Sequence, residues 1–125
     1  MAAMPERTTS DPHGALRAAV STAIVQAMAK LYGRGPTKAK TYFNDEYVFT
    51  VLEGGLTPNE ERLVEAGEER LVRQYRLRFQ EVVAGELTSA VEQVTGRKVL
   101  TYHSQLLFHP SRLFEIFLLD GPPGA

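Results

Sequence analysis

The chain has 125 residues, of which 43% are hydrophobic, enough to bury one core in a single domain. It contains no cysteine, which excludes disulfides, thiolate zinc sites and cysteine nucleophiles and fits a reducing compartment. With 14 basic and 15 acidic residues the net charge is −1, so no overall field draws the chain to nucleic acid or an anionic membrane.

Residues 1–10, MAAMPERTTS, are small and polar without periodicity, and are expected to form a disordered tail. A single domain is expected over residues 11–120, followed by a second disordered tail, GPPGA, at 121–125. No apolar run approaches the roughly 18–20 residues of a membrane span, and the N-terminus lacks the basic-then-apolar order of a signal peptide. A cytoplasmic location is expected.

The first helix is expected to open at Asp11, an N-cap residue followed by Pro12. Leu16, Val20, Ile24, Met28 and Leu31 recur at helical spacing, and interspersed alanines keep the rest of the surface slim. Gly33 is the natural C-terminal cap, and Gly35-Pro36 prevents resumption.

The period then becomes strand-like, with Lys38–Phe43 and Tyr47–Glu53 flanking a turn at Asn44-Asp45-Glu46. In the second strand Tyr47, Phe49 and Val51 lie on one face and Val48, Thr50 and Leu52 on the other, so both faces need a cover. Two helices on opposite faces, or one layer of helices and a second subunit, would each supply it.

Leu56-Thr57-Pro58-Asn59-Glu60 starts a helix: Thr57 and Glu60 have the spacing of a capping box, with Pro58 where a missing donor does no harm. Helical periodicity runs on to Val94 and stops at Gly96. An unbroken rod over 58–95 would measure roughly 57 Å, against a radius of gyration of about 14 Å for a domain of this size. A break at Gly67 is therefore expected, giving a short helix over 58–66 and a long one over 68–95. Strands over Lys98–Phe108 and Leu113–Leu119 close the chain, with Leu113, Glu115, Phe117 and Leu119 sharing a face. The fold class is α+β, in the order α-ββ-α-ββ, with a four-stranded, mostly antiparallel sheet.

Several side chains are candidates for chemistry. Arg34, Gly35 and Lys38, in the loop after the first helix, could hold a phosphate or carboxylate, although the loop lacks the ending of a nucleotide-binding P-loop. Arg70, Arg73 and Arg76 are spaced by three along the long helix, with Arg97 beyond it; the alternatives are an anion-binding stripe or a solvated, salt-bridged face. His13, His103 and His109 match no metal-binding spacing, and neither metal nor cofactor is expected. Glu53 beside Gly54-Gly55 is the best isolated acid or base, without a partner to activate it.

The run GRGPTKAKTYFNDEYVFTVLEGGLTPNEERLVEAGEERLVRQYR, followed by VEQVTGRKVL, resembles the MpsC-like family of small bacterial proteins. The resemblance extends from about Ala15 to Leu119 and is carried by Gly33-Arg34-Gly35-Pro36, the Thr57-Pro58-x-Glu60 helix start and Thr95-Gly96-Arg97-Lys98-Val99. Tyr102-His103-Ser104 and His109-Pro110-Ser111 depart from what the family suggests. The resemblance implies an accessory role beside membrane proteins of ion or inorganic-carbon transport, and no established reaction. A chain without a span cannot move an ion across a bilayer by itself. The expected function is thus a noncatalytic, homodimeric accessory module of a sodium-translocating, membrane-potential-generating system, held at the inner face of the membrane by a transporter partner. Two alternatives stay open: a nucleic-acid-binding dimer using the arginines, and a small-molecule-binding protein or enzyme with a pocket near Arg34, Glu53 and Thr57.

Overall fold

The computed structural model describes residues 13–124. Helix α1 spans Gly14–Tyr32, strands β1 and β2 span Lys38–Asn44 and Tyr47–Glu53, helices α2 and α3 span Pro58–Glu65 and Glu69–Thr95, and strands β3 and β4 span Val99–Leu107 and Arg112–Leu119. The Asp11 cap and Pro12 lie outside the described residues. Gly33 ends α1 at φ 78°, a left-handed conformation that costs glycine little, and its N–H donates to the Ala29 carbonyl at 2.9 Å.

The break between α2 and α3 falls at Gly67, whose φ is 84°. The Gly67 and Glu68 N–H groups donate back to the Val64 and Leu63 carbonyls, closing α2 before α3 begins. At the other end of α2 the capping box is complete. The Glu60 N–H donates to Thr57 Oγ1 at 3.2 Å, and the Thr57 N–H donates to Glu60 Oε1 at 2.8 Å.

The four strands form one antiparallel sheet in the order β1-β2-β4-β3. Both long helices cover the same face, so the expectation of two covers on opposite faces is resolved in favour of one helical layer. The covered face carries Val48, Leu52, Leu106, Leu113, Phe117 and Leu119, against which α1 sets Val20, Ile24 and Met28 and α3 sets Val72, Leu87 and Val91. A row of polar side chains crosses this apolar layer. Thr41 pairs with Thr50, Thr50 with Glu115 and Glu115 with Ser104, one from each strand. Ser21 of α1 joins the row through Thr41 at 2.7 Å, and Thr41 and Thr50 share a hydrogen bond of 2.9 Å.

The helical layer is locked by a buried ion pair. Arg76 Nε donates to Glu60 Oε2 at 2.8 Å and Nη2 donates to Glu60 Oε1 at 2.6 Å, while Nη2 also reaches the Gly55 carbonyl at 2.8 Å. Arg76 is 5% exposed and Glu60 6%. One carboxylate therefore caps α2 and anchors α3, and the same arginine holds the β2–α2 loop. Its guanidinium also lies 4.0 Å from the centre of the Tyr32 ring, which brings α1 into the cluster. Removing one partner of such a pair leaves the other charged and buried, a loss of about 3–5 kcal/mol. Loss of a cap costs about 1 kcal/mol. Urea denaturation is expected to rank Glu60→Ala well below Thr57→Ala in stability; equal losses would mean that Glu60 acts as a cap alone.

Candidate functional site

The arginines of the long helix do not form an open stripe. Arg76 turns inward to Glu60, whereas Arg73 donates through Nη1 to the Leu106 carbonyl and lies 5.0 Å from the Phe108 ring centre. Arg70 is exposed. Arg97 is directed to the other end of the molecule, where its Nε donates to the Pro122 carbonyl at 2.8 Å. In the loop after α1, Arg34 lies 3.8 Å from Glu61, and Lys38 stands opposite Glu53 across the β1–β2 ladder. A Cβ at Gly35 would sit 3.1 Å from the Ala29 Cβ and 3.3 Å from the Val25 carbonyl oxygen, so the loop approaches α1 too closely for a larger residue. Glu53 pairs with Arg112 at 3.6 Å, and Thr57 is occupied in its cap. The seven anion-site candidates are thus dispersed over three regions, and Arg73 and Arg76 line one cavity together.

That cavity, of about 160 Å³, lies between α1, α3 and the β3–β4 pair. Its polar lining comprises Tyr32, Arg73, Arg76, Gln80, Tyr102, Ser104, Gln105 and Glu115; Met28, Leu77, Leu106 and Leu113 supply the apolar lining. Glu115 is 0% exposed. Tyr102 donates its hydroxyl to Glu115 Oε1, and Ser104 Oγ donates to Oε2 at 2.6 Å. Tyr102 is itself held by stacking on Phe117, with ring centres 4.8 Å apart.

Burial pushes the Glu115 carboxyl up to about 7, against the opposing pull of the Ser104 and Tyr102 hydrogen bonds and of the Arg76 charge. Burial also raises Tyr102 and Tyr32 above the ordinary phenol range. Glu60 goes the other way. Burial alone would raise it, but hydrogen bonds from Arg76 and Thr57 together with the Arg76 charge leave it below the usual carboxylate value.

Sequence reasoning places Glu115 on one strand face with Leu113, Phe117 and Leu119 but assigns it no role; it names Tyr102 and Ser104 only beside His103, as a departure from the family, and does not single out Tyr32. The legible signal is the charge inside the alternation Leu113, Glu115, Phe117, Leu119, where an apolar residue is the rule.

The uncovered face of the sheet is a second feature. Tyr42, Tyr47, Phe49, Val51, Phe114 and Ile116 lie on it, with Tyr42, Tyr47 and Ile116 exposed at 47%, 48% and 37%. Phe49 stacks on Tyr42 at 6.1 Å and meets Phe114 edge-on at 5.4 Å, so the aromatics run across three strands. His103 is exposed on this same face. The outer surface of α3 exposes Leu71, Tyr75 and Val82 on the other side of the molecule.

The pH dependence of stability isolates Glu115. Between its unfolded value of 4.5 and its folded value of about 7, the native protein holds a proton that the unfolded chain has released. Stability therefore falls as pH rises through that window. Glu60, with its lowered value, loses its contribution only at pH below 4.5, outside the window. Relative to the parent, Glu115→Gln is expected to gain about 3 kcal/mol between pH 5 and pH 8.5, read from denaturation midpoints. Parallel pH profiles for the two proteins would refute the assignment.

Comparison with curated proteins and with solved structures finds no match. Among the described residues, no helix is long and apolar enough to cross a membrane. Residues 13–121 match the family described as Na+-translocating membrane potential-generating system (MpsC), and the chain belongs to that family.

Proposed function

We propose that this chain is a noncatalytic accessory module of a Na+-translocating, membrane-potential-generating system, and that it works by holding two surfaces at once. The observation that carries this reading is the pair of uncovered apolar surfaces on opposite sides of the molecule. Contiguous apolar surface of this kind is the usual mark of a protein interface.

The outer surface of α3 is suited to a second copy of the chain. The helix is 27 residues and thus about 40 Å long, and two such helices can lie along one another with Leu71, Tyr75 and Val82 in the seam. The open sheet face is suited to a membrane-embedded partner. Its aromatic row offers large rigid anchors, and Lys38, Lys40 and the Arg112–Glu53 pair give it a polar margin. The family description supports a partner in a membrane system.

Two substitutions separate these roles. Val82→Glu, at a residue 78% exposed, is expected to convert a dimer to a monomer in light scattering without loss of folding. Ile116→Lys is expected to keep the mass of the dimer but to abolish co-sedimentation with membranes from cells that hold the whole system. A parent protein that is monomeric at high micromolar concentration sinks the pairing, and one that never sediments with those membranes sinks the partner.

A further inference from the structure

We propose that the cavity between α1, α3 and the β3–β4 pair is a binding site for a short-chain monocarboxylate, taken up together with a proton on Glu115. This site lies on the helical side of the sheet and is separate from the docking surfaces above.

The charges around the cavity carry the proposal. Arg76 comes from α3 with its partner Glu60 from α2, and Arg73 stands at the mouth with no acidic partner among the described residues. Glu115 is faced by the neutral groups Tyr32 from α1, Tyr102 and Ser104 from β3, and Thr50 from β2, and by the charge of Arg76 from α3, whose donors go to Glu60. With Glu115 ionised, two arginines balance two carboxylates. With Glu115 protonated, one positive charge is left over beside the cavity. A monoanion restores the balance, so binding an anion at the arginines and binding a proton on the buried Glu115 favour one another.

The same residues select the ligand. Gln80 adds an amide donor to those of the arginines, which suits a planar carboxylate. An ammonium ion would meet two guanidinium groups, and a dianion such as sulfate would overshoot the charge. No group of three or more His, Asp or Glu among the described residues could hold a metal ion. Met28, Leu106 and Leu113 give the cavity an apolar part for a hydrocarbon tail. A cavity of about 150 Å³ holds a benzene molecule, so about 160 Å³ admits an acid of roughly three to five carbons.

The raised affinity of Glu115 for its proton supports the coupling, since half of the empty protein is already protonated near pH 7. Calorimetric titration with butyrate, butylamine and sulfate tests it. Butyrate is expected to bind at pH 6 and to weaken roughly tenfold for each pH unit above about 7. Titration at pH 8 in two buffers of different ionisation enthalpy is expected to show uptake of close to one proton per butyrate. Glu115→Gln is expected to bind butyrate with an affinity independent of pH, and Arg73→Gln to lose at least tenfold in affinity. Absence of butyrate binding at pH 6 overturns the proposal, as does tighter binding of butylamine or sulfate. Butyrate binding without proton uptake by the parent protein also overturns it, and that measurement needs no variant to fold.

Discussion

The buried pair between Glu60 and Arg76 is the constraint on which the rest of the structure depends. Three segments meet at it: the loop leaving β2 through the Gly55 carbonyl, the first turn of α2 through the cap, and the second turn of α3. Each would be free to swing about glycine without it, since Gly54, Gly55 and Gly67 flank the short helix on both sides. A bidentate contact between a planar guanidinium and a carboxylate fixes both distance and orientation, which a hydrophobic contact does not. Desolvation makes such a pair a weak source of net stability. Its contribution here is to set the angle at which α3 crosses the sheet, and that angle decides whether a cavity remains above Glu115.

The polar groups inside the fold fall into two sets with opposite electrostatic outcomes. Around Glu60, charge meets charge and the carboxylate is held ionised. Around Glu115, only hydroxyl groups reach the carboxylate directly, and burial prevails over them. Two carboxylates on one side of one sheet thus prefer different protonation states at the same pH. The difference follows from where Arg76 directs its donors, because a single arginine cannot satisfy both.

The sequence made the local events legible and left the long-range ones hidden. The cap at Thr57 and Glu60, the stops at Gly33 and Gly96, and the break at Gly67 all depend on residues a few positions apart, and each occurs where the local chemistry places it. The α+β class and the order of elements follow from periodicity in the same way. The fate of the three arginines did not, because spacing by three says that side chains share a helix face but not which way that face points. The Glu60 side chain reads fully as a cap, and nothing nearby in sequence announces that its second oxygen serves an arginine 16 residues away. For Glu115 the clue was present as an interruption of alternation, yet its hydroxyl partners come from a strand whose register no local pattern fixes. The choice of one face for both helices is likewise a property of the assembled sheet.

The polar row across the sheet has a bearing on how the strands find their pairing. A slip by one residue would expose the apolar face and is penalised everywhere, but a slip by two keeps inward residues inward and outward residues outward. Apolar contacts between leucine, valine and phenylalanine discriminate poorly between those two alignments. Thr41, Thr50, Glu115 and Ser104 discriminate better, because displacing any one strand by two positions takes its polar member out of the row and separates it from the partners it has there. The row acts as a notch in an otherwise smooth interface, and it favours the alignment in which its hydroxyl and carboxyl groups meet one another.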